Sequence, residues 1–339
     1  MRLSVIVPAR NEADVLGPCL ESLLAQSVEG FALDKDWELL LVDDGSTDAT
    51  RSIALGFPQI TVLDPAPLQP QWTGKANAVW TGAQAARGEW LLFTDADTVH
   101  VSGDLERALH EAEHAKVAML SYSPRQLVSG FWQRALMPLI FSELALTYPP
   151  EKVSDPSSRV AAANGQFLLV QRSPYFQVGG HRAVASSLLE DVDLAFLLKR
   201  RKYPIRFRYA PDALSARMYR SVGAMIEGWT KNLARLFNFP LLMAAWRAVD
   251  LLLLIGLPVL LWHFFAIPLS RYALAAVWLR VLWRFYSKVA KSNFSPLDCA
   301  LSVFALPLFC LLLVSSWWQH TVRSRVGWKG RTYPTSNSK

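Results

Sequence analysis

The stretch Trp90-Leu91-Leu92-Phe93-Thr94-Asp95-Ala96-Asp97-Thr98 joins an apolar run to two closely spaced aspartates. A short, continuous apolar run predicts a strand that is buried on both faces of a sheet. Side chains alternate along extended backbone, so Asp95 and Asp97 point the same way and can share one target. Two carboxylates without thiols or clustered imidazoles suit a hard cation, either Mg2+ or Mn2+. The alternative is a pair of turn or capping aspartates.

The same order of apolar strand and polar turn recurs on the N-terminal side of this stretch. The predicted strands are Leu3–Val7, Leu39–Val42, Thr61–Leu63 and Leu91–Phe93, and the helical patterns between them are Val15–Ala25, Thr47–Phe57 and Lys75–Ala86. Ser46 or Thr47 is the expected N-cap of the second helix. Repeated β-α units predict an α/β domain with a mostly parallel, Rossmann-like sheet.

Polar clusters lie where three of the predicted strands end, at 8–12, 43–44 and 95–97. Ligands bind at the carboxyl ends of parallel strands, so these clusters should converge on one crevice. No G-x-G-x-x-G follows the first strand, and Gly74-Lys75-Ala76 lacks the hydroxyl residue of a Walker loop. The sequence therefore predicts neither a dinucleotide fingerprint nor a P-loop.

Two further motifs contain candidate catalytic groups. Asp191, in Glu190-Asp191-Val192-Asp193, precedes a helical pattern and is either a general base for an acceptor hydroxyl or an N-cap. His110-Glu111-Ala112-Glu113-His114 matches H-E-x-x-H. Its histidines fall opposite the apolar stripe of their helix, and no third ligand is apparent. A solvated helix face is therefore favoured over a zinc protease.

The formal net charge of +7 is unevenly distributed along the chain. Residues 1–239 hold 24 Lys and Arg against 26 Asp and Glu, whereas residues 240–339 hold 11 against two, Asp250 and Asp298. The basic residues lie beside long apolar runs, which favours a membrane partner over nucleic acid. The three scattered cysteines form neither a disulfide framework nor a metal motif. The N-terminus has no signal-peptide pattern, so we expect the first part of the chain in the cytoplasm.

Two stretches, 251–270 and 299–322, contain no Asp, Glu, Lys or Arg. Each is long enough as a helix to cross a hydrocarbon layer of ~30 Å. Residues 272–290 form either a third span or a basic interfacial helix. We therefore expect a catalytic domain over 1–239, transmembrane helices within 240–322 and a basic tail over 323–339. The cation distribution leaves open the number of crossings and the side of the tail. Residues 128–146 are either an interfacial or a core-packing helix.

Taken in order, these motifs resemble glycosyltransferase family 2, which has the GT-A fold, over about 1–235. The matching pieces are Val5-Ile6-Val7-Pro8-Ala9-Arg10-Asn11-Glu12, Val42-Asp43-Asp44-Gly45-Ser46-Thr47-Asp48, Trp72-Thr73-Gly74-Lys75-Ala76-Asn77-Ala78, Ala86 to Asp97, Asn164-Gly165-Gln166-Phe167, Gly179-Gly180-His181 and Leu189-Glu190-Asp191. Trp72-Thr73-Gly74-Lys75 and Trp328-Lys329-Gly330-Arg331-Thr332-Tyr333 resemble the membrane-attached, lipid-glycosylating branch, which includes hopanoid- and carotenoid-associated enzymes.

The resemblance implies inverting, metal-dependent transfer from a nucleotide-sugar, with a UDP-sugar as first choice, to a hydroxyl of a membrane lipid or lipid-linked acceptor at the cytoplasmic membrane. It implies donor-binding roles for Pro8, Ala9, Arg10, Glu12, Asp43, Asp44, Lys75 and Asp95. Asp97 and Asp95 would hold Mg2+ or Mn2+, and Asp191 would be the base. Acceptor or phosphate contacts would come from Trp72, Glu190, Arg217, Arg220, Trp229 and Lys231.

The chain departs from the family where many relatives carry Gln/Arg-x-x-Arg-Trp. Arg217-Met218-Tyr219-Arg220-Ser221 lacks the tryptophan, so Trp229 and Lys231 would take over, unless they belong to an amphipathic helix at the membrane surface. This departure weakens the interpretation of the chain as a processive polysaccharide synthase. A membrane-anchored nucleotide-sugar-binding protein without activity remains an alternative, as does a nucleotidyltransferase.

Overall fold

The computed structural model describes residues 1–264, 268–328 and 330–334. The chain divides by compactness into two units. The first contains 1–127 and 148–218, and the second contains 128–147 and the described residues from 219 onward. This division falls at other positions than the boundary at 239 expected from sequence, because segment 128–147 and residues 219–239 group with the C-terminal helices.

The first unit is built on one mixed sheet. Its strands are β1 Leu3–Ala9, β2 Trp37–Asp43, β3 Thr61–Leu63, β4 Trp90–Phe93, β5 Thr98–His100, β6 Met119–Gln126, β7 Leu168–Gln171 and β8 Ile205–Ala216. They lie in the order β3-β2-β1-β4-β7-β6-β8-β5. β1 is parallel to β2 and β4, β2 to β3, and β6 to β8, whereas β7 and β5 pair antiparallel. The predicted mostly parallel α/β sheet is therefore confirmed.

Helices connect the strands and continue into the second unit. They are α1 Ala13–Leu24, α2 Thr50–Leu55, α3 Gly74–Ala85, α4 Asp104–His114, α5 Gly130–Thr147, α6 Pro150–Ser154, α7 Arg172–Gln177, α8 Gly180–Ala183, α9 Glu190–Arg200, α10 Val222–Leu236, α11 Pro240–His263, α12 Pro268–Val289, α13 Pro296–Leu301 and α14 Leu306–Thr321. Of these, α5 and α10 to α14 belong to the second unit. Short 3-10 turns, 290–292 and 302–305, flank α13.

The central strands are buried on both faces, as their continuous apolar runs predict. Val5 and Val7 of β1 enter one hydrophobic cluster with Leu41 of β2, while Ile6 enters another with Leu40. Because successive side chains face opposite sides of the sheet, such a strand needs apolar side chains at neighbouring positions, and these form the continuous apolar runs of the sequence.

The N-cap predicted for the second helix is wrong. That helix, α2, begins at Thr50, and its N-cap position is Ala49. Ser46 and Thr47 instead bind the preceding loop: Ser46 Oγ accepts from the Asn11 amide at 3.1 Å, and the Thr47 amide donates to Asn11 Oδ1 at 2.8 Å. These residues link the turns after β1 and β2.

In the second unit, Pro240–His263 and Pro296–Thr321 are long and apolar enough to cross a membrane, judged by length and composition. The first is the single helix α11, whereas the second contains α13, a 3-10 turn and α14. Residues 272–290 fall mainly in α12. β9 Arg325–Trp328 and β10 Arg331–Pro334 pair antiparallel in the tail, of which residues 329 and 335–339 lie outside the described range.

Candidate active site

The turns after β1 and β2 form one wall of the site. Arg10 Nη1 donates to the Asp44 carbonyl at 2.5 Å and lies 4.0 Å from Asp44 Oδ2. Asp43 is buried; its Oδ1 accepts from the Ser46 amide at 3.1 Å, and its Oδ2 lies 3.5 Å from Arg51 Nη1. Asp43 and Asp44 were both expected in the donor pocket, and the fold brings them to the loop that contains Arg10.

Pro8, Ala9 and Glu12 lie on the same edge. The Asp44 amide donates to the Ala9 carbonyl at 2.9 Å. The Glu12 amide donates to Thr50 Oγ1 at 2.8 Å, so the start of α1 is held against the start of α2. Pro8 pairs in register with Val42 within the parallel ladder. The polar clusters 8–12 and 43–44, expected to converge, are therefore adjacent in the fold.

The loop after β4 contains the two aspartates. Asp95 and Asp97 are half-buried, whereas Ala96 and Thr98 between and beyond them are buried. The segment is a turn, in which the Thr98 amide donates to the Asp95 carbonyl at 3.3 Å, and a shared target for the two carboxylates stays a prediction. The Asp97 carbonyl accepts from the Arg217 amide at 3.1 Å, so the chain leaving β8 also reaches this loop.

A buried hydrogen-bond network lies beneath the aspartate loop. Thr94 Oγ1 donates to the Gln166 carbonyl and Thr98 Oγ1 to the Asp95 carbonyl, each at 2.8 Å. His100 Nε2 lies 3.1 Å and 3.3 Å from these two hydroxyl oxygens, and its Nδ1 lies 2.8 Å from Asp104 Oδ2. The hydroxyls, imidazole and carboxylate therefore fix the backbone that presents the aspartates.

Lys75 extends from the first turn of α3 into the centre of the site. Thr73 caps this helix by accepting from the Ala76 amide at 3.1 Å. Lys75 Nζ lies 2.8 Å from Asp95 Oδ1 and 3.2 Å from Glu190 Oε1. Burial disfavours the ammonium, but the nearby carboxylates outweigh it and raise the pKa of Lys75 well above its usual value. Lys75 is therefore a fixed cation.

Asp191, the candidate base, is held by backbone amides. Its Oδ2 accepts from Gly165 N at 2.7 Å and its Oδ1 from Val192 N at 2.8 Å. Burial and the adjacent Glu190 raise its pKa to about 6, against the lowering effects of Lys75 and the two amides. The alternative N-cap role is not observed: α9 begins at Glu190, and its cap position, Leu189, makes no side-chain cap.

The segment that begins α8, Gly179-Gly180-His181, packs closely against Tyr175. Gly180 has φ +52°, and a Cβ there would lie 2.5 Å from the Tyr175 ring, so this position requires glycine. His181 is buried, with its Nδ1 3.0 Å from the Tyr175 hydroxyl. Burial lowers the pKa of His181 to about 4; Glu190 acts to raise this pKa and Lys75 to lower it further. The imidazole is therefore neutral at physiological pH.

The six expected acceptor or phosphate residues are not all brought together. Glu190 joins Lys75, and Arg217 reaches the aspartate loop through its amide. Trp72 is half-buried just before α3. Arg220, Trp229 and Lys231 belong to the second unit.

Trp229 is part of the hydrophobic core of the second unit. Its side chain is buried, its Nε1 donates to Met137 Sδ at 3.3 Å, and its ring packs edge-on against Tyr219. The Lys231 carbonyl accepts from His320 Nε2 at 2.7 Å. The contacts of Trp229 place its side chain in a packed helix bundle, whereas the contact of Lys231 is made by its main chain, so the predicted role of the Lys231 side chain stays a prediction.

Sequence reasoning assigned no role to several residues that contact the candidate groups. Gly165 approaches so closely that a Cβ there would lie 3.1 Å from Lys75 Nζ and 3.4 Å from Asp191 Oδ2. His100 and Asp104 support the aspartate loop from below. The only sequence signal for His100 and Asp104 was their i, i+4 spacing, which many surface pairs share.

The motif H-E-x-x-H is a polar helix face, as the sequence analysis favoured. In α4 the buried side includes Leu105, Ala108, Leu109 and Ala112, while the His110 side chain is exposed and lies 3.8 Å from Glu106. Within the described ranges, no group of three or more His, Cys, Asp or Glu can hold a metal unaided.

The centre of the site has an excess of negative charge. The ammonium of Lys75 faces Asp95, Glu190 and Asp191, and Asp97 belongs to the same loop as Asp95. A phosphorylated substrate would be repelled by these carboxylates unless a further cation accompanied it. Hard divalent ions take carboxylates, waters and substrate phosphates together, so this donor set fits such an ion.

The mostly parallel sheet, with carboxylate-bearing loops at the ends of its strands, has the GT-A fold of glycosyltransferases. Residues 4–171 match the model of glycosyl transferase family 2, so the chain contains a domain of that family. The family expected from the ordered motifs and the enzymatic assignment are thus confirmed, and a binding protein without activity is no longer favoured.

Similar proteins include 4,4'-diaponeurosporenoate glycosyltransferases of Staphylococcus aureus. The protein of strain MRSA252 is 26% identical over 351 residues, covering 98% of this chain and 88% of the relative. That of strain USA300 is 24% identical over 348 residues, with the same coverage. A similar solved structure is the mannosyltransferase PcManGT from Pyrobaculum calidifontis in complex with GDP-Man and Mn2+. It has a TM-score of 0.57 and 19% identity, covering 95% of this chain and 87% of that one. This likeness supports the fold.

Proposed function

We propose that this glycosyltransferase moves a sugar from a nucleotide-sugar, with a UDP-sugar as the first candidate, to a hydroxyl of a membrane lipid or lipid-linked acceptor. The transfer inverts the configuration at the anomeric carbon. The catalytic domain faces the cytoplasm. The observation that supports it most is the placement of Asp191. Its carboxylate is fixed by Gly165 N and Val192 N beside Lys75, and its pKa is raised toward neutrality.

Such a carboxylate suits a single in-line displacement. Asp191 accepts the proton from the acceptor hydroxyl as the oxygen forms its bond to the anomeric carbon. The bond from that carbon to the donor phosphate breaks on the opposite face, and the nucleoside diphosphate leaves with the electron pair. One base is sufficient, because no second enzyme carboxylate has to form a covalent intermediate.

The donor fits the opposite side of the crevice. We propose that Arg10, Glu12, Asp43 and Asp44 bind the base and ribose, alongside Pro8 and Ala9, while Lys75 meets the diphosphate. Asp95 and Asp97 would hold Mg2+ or Mn2+. When bound, this ion neutralises charge on the leaving diphosphate. Glu190 positions Lys75, whose ammonium lies 3.2 Å from its Oε1.

The acceptor has two chemical candidates. A hydroxyl must lose a proton, which gives Asp191 a role in the chemical step. The names of the staphylococcal relatives instead specify diaponeurosporenoate, a carboxylate, as their acceptor. An acceptor carboxylate is already ionised near neutral pH and needs no base. The two acceptor classes therefore differ in how strongly turnover depends on Asp191.

The central test replaces Asp191 by Asn, with Asp193→Asn as the matched control. Asp193 belongs to the same turn but is exposed. With membranes, a UDP-sugar and a lipid-alcohol extract, D191N should reduce glycolipid formation by about 10^2 to 10^4, the usual contribution of a general base. D193N should retain parental turnover. Equal product from D191N and the parent enzyme would overturn the assignment of the base.

The donor and the metal are tested in the same assay. Turnover should stop with EDTA and return with Mn2+ or Mg2+. Turnover that persists in EDTA would contradict the proposed metal dependence. Release of UDP supports the proposed donor. Release of GDP from a GDP-sugar would contradict the choice of nucleotide, and release of pyrophosphate would indicate a nucleotidyltransferase. A long polymer as product would indicate a processive synthase.

A further inference from the structure

The two apolar stretches of the second unit differ in their helical structure. α11 is continuous over Pro240–His263 and contains the whole of its candidate span. The other candidate span is divided by the 3-10 turn at 302–305, and α14 begins only at Leu306. The two stretches therefore need not meet the membrane in the same way.

α11 and α12 form an antiparallel hairpin. Trp278 Nε1 donates to the Leu254 carbonyl at 3.2 Å, and Arg284 pairs with Asp250. The beginning of α11 and the end of α12 therefore lie at one end, the base of the hairpin. The apolar part of α11 beyond Asp250, Leu251–His263, reaches ~20 Å away from this base.

α14 lies beside the base of the hairpin rather than its apolar tip. Cys310 Sγ lies 3.5 Å from the Ala244 carbonyl in the first part of α11. Further along α14, Ser316 Oγ accepts from the Ala234 amide at 2.8 Å, and His320 donates to the Lys231 carbonyl at 2.7 Å. Since 231 and 234 belong to α10, α14 runs from the base of the hairpin back along α10.

Ion pairs mark the level of the hairpin base. Arg247 is buried between Asp250, with which it pairs, and Glu143 of α5, whose Oε1 is 3.3 Å from Arg247 Nε. Arg134 of α5 also pairs with Asp298 of α13 at 2.6 Å. Charged groups are costly in hydrocarbon, so this level belongs near the headgroups.

The outward face of the last apolar stretch is a continuous apolar stripe. Its exposed members are Leu297, Phe304, Leu311, Val314, Trp318 and Val322. Phe304 contacts exposed Phe131 at the start of α5. The opposite side of α14 is buried against the protein through Leu306, Phe309, Leu312 and Leu313. A helix with one face on protein and an apolar face outward can lie in the plane of a membrane surface.

We propose that only the α11–α12 hairpin enters the hydrocarbon layer, and that α13 and α14 lie in the interface on the side of the catalytic unit. The inference rests on the membrane association proposed above. No other candidate span occurs among the described residues of 1–239, so the catalytic unit and α10 share one side. The C-terminal strands are then on that side too.

The distribution of cations agrees with this topology. Arg280, Arg284, Lys288 and Lys291 all lie toward the hairpin base, and the tail adds Arg323, Arg325 and Arg331. Arg271 alone lies near the tip. Basic residues accumulate on the cytoplasmic side of membrane proteins, where anionic headgroups attract them. A crossing of 296–321 would separate the basic segment before it from the basic tail after it.

Three cysteine reporters in the full chain test the topology without requiring turnover. Ser102→Cys marks the catalytic unit, Lys291→Cys the end of the hairpin and Thr332→Cys the tail; all three positions are exposed. The parent chain, with its own Cys19, Cys299 and Cys310, is the blank. An impermeant maleimide should label all three reporters in inverted membrane vesicles and none of them in intact spheroplasts.

Each other labelling pattern overturns the proposal. Lys291→Cys alone on the opposite face would mean that α11 and α14 cross while α12 lies outside. Thr332→Cys alone on the opposite face would mean an odd number of crossings. Recovery of the parent chain in the soluble fraction would exclude the hairpin anchor. A green fluorescent protein fused to the unaltered C-terminus, which fluoresces only in the cytoplasm, checks the tail independently of the cysteines.

A matched pair of lysine variants tests the in-plane placement of α14. Leu311 and Ile255 are similarly exposed, at 67% and 58%. A lysine in the interface can extend its ammonium to water, whereas one on a hydrocarbon-inserted helix is costly. Leu311→Lys should leave the yield of membrane-integrated protein unchanged, and Ile255→Lys should reduce it several-fold. An equal loss in both variants would contradict an interfacial α14.

Discussion

At the scale of single residues, Asp191 owes its properties to opposing neighbours. Burial and Glu190 disfavour its charge, while Lys75 and two backbone amides favour it. The result is a carboxylate fixed in one orientation and able to take up a proton near neutral pH. A carboxylate with the ordinary Asp pKa of ~3.9 would be a much weaker base.

This environment predicts the pH dependence of turnover. Because Asp191 must be ionised to accept a proton and its pKa is raised to about 6, kcat for a hydroxyl acceptor should fall about tenfold per pH unit below that value. Glu190→Gln removes the second cause of the raised pKa, so the midpoint should shift to lower pH. Asp193→Asn should leave the midpoint in place. A midpoint that stays unchanged in E190Q would contradict this account.

Gly165 offers a second prediction, since it leaves little space beside the reactive groups. A Cβ there would lie 3.1 Å from Lys75 Nζ and 3.4 Å from Asp191 Oδ2, which would displace the lysine. Gly165→Ala should therefore raise the KM for the donor and lower kcat by at least tenfold. The thermal unfolding midpoint should change little, because the ammonium can move.

Gly17→Ala is the matched control for this substitution. A Cβ at Gly17 in α1 would meet no atom within 4 Å. Alanine is favoured over glycine inside a helix, so this variant should keep full activity and unfold at an equal or higher temperature. Full activity in Gly165→Ala would show that the close approach has no effect on turnover.

At the scale of elements, the first turn of α3 connects helix stability to the site. Thr73 caps this turn, and Lys75 extends from it toward Asp95. Loss of an N-cap hydroxyl destabilises a helix by ~1 kcal/mol, mostly through its first turn. The cap is thus also a positioning contact for the lysine.

Thr73→Ala should therefore lower stability and impair donor binding together. Ser221→Ala removes an equivalent cap from α10, where Ser221 accepts from the Ala224 amide at 3.1 Å. Both variants should lose ~1 kcal/mol of unfolding free energy, but only Thr73→Ala should raise the donor KM several-fold. Thermal unfolding and steady-state kinetics measure the two effects. An equal donor KM for both variants would show that the Thr73 cap does not position Lys75 for donor binding.

Also at this scale, sequence patterns predicted strand ends better than the contacts beneath them. Asp43 and Asp95 were placed on one edge because parallel strands present their carboxyl ends together. The support of Asp95 by Thr98, His100 and the Gln166 segment depends on packing between distant parts of the chain. No periodicity encodes such contacts. The start of α2 was misplaced because Ser46 binds Asn11 instead of capping the helix.

At the scale of the whole molecule, apolar composition identified the two candidate spans but not how each divides into helices. Residues 299–322 contain no Asp, Glu, Lys or Arg, yet α14 begins only at Leu306. Proline and short 3-10 turns set this boundary through local geometry that hydropathy does not record. Residues 128–146, whose sequence fitted either an interfacial or a core helix, fall mainly in α5, which is largely buried in the second unit, with Phe131 and Trp132 exposed.

The last prediction compares the two forces by which the proposed hairpin anchor would hold the chain on a membrane. Exposed side chains of α11 include Leu252, Ile255, Val259, Leu260 and Trp262. Burial of each is worth ~1.5 to 3 kcal/mol, whereas each basic residue near anionic lipid contributes ~1 kcal/mol that salt screens. A wash in 1 M NaCl should therefore leave the protein in the membrane pellet, and detergent should release it. Ile255→Lys with Val259→Lys should make it salt-extractable, while Leu55→Lys, on an exposed site of α2, should not. Release of the parent chain by salt alone would mean that the cations, and not the hairpin, hold it.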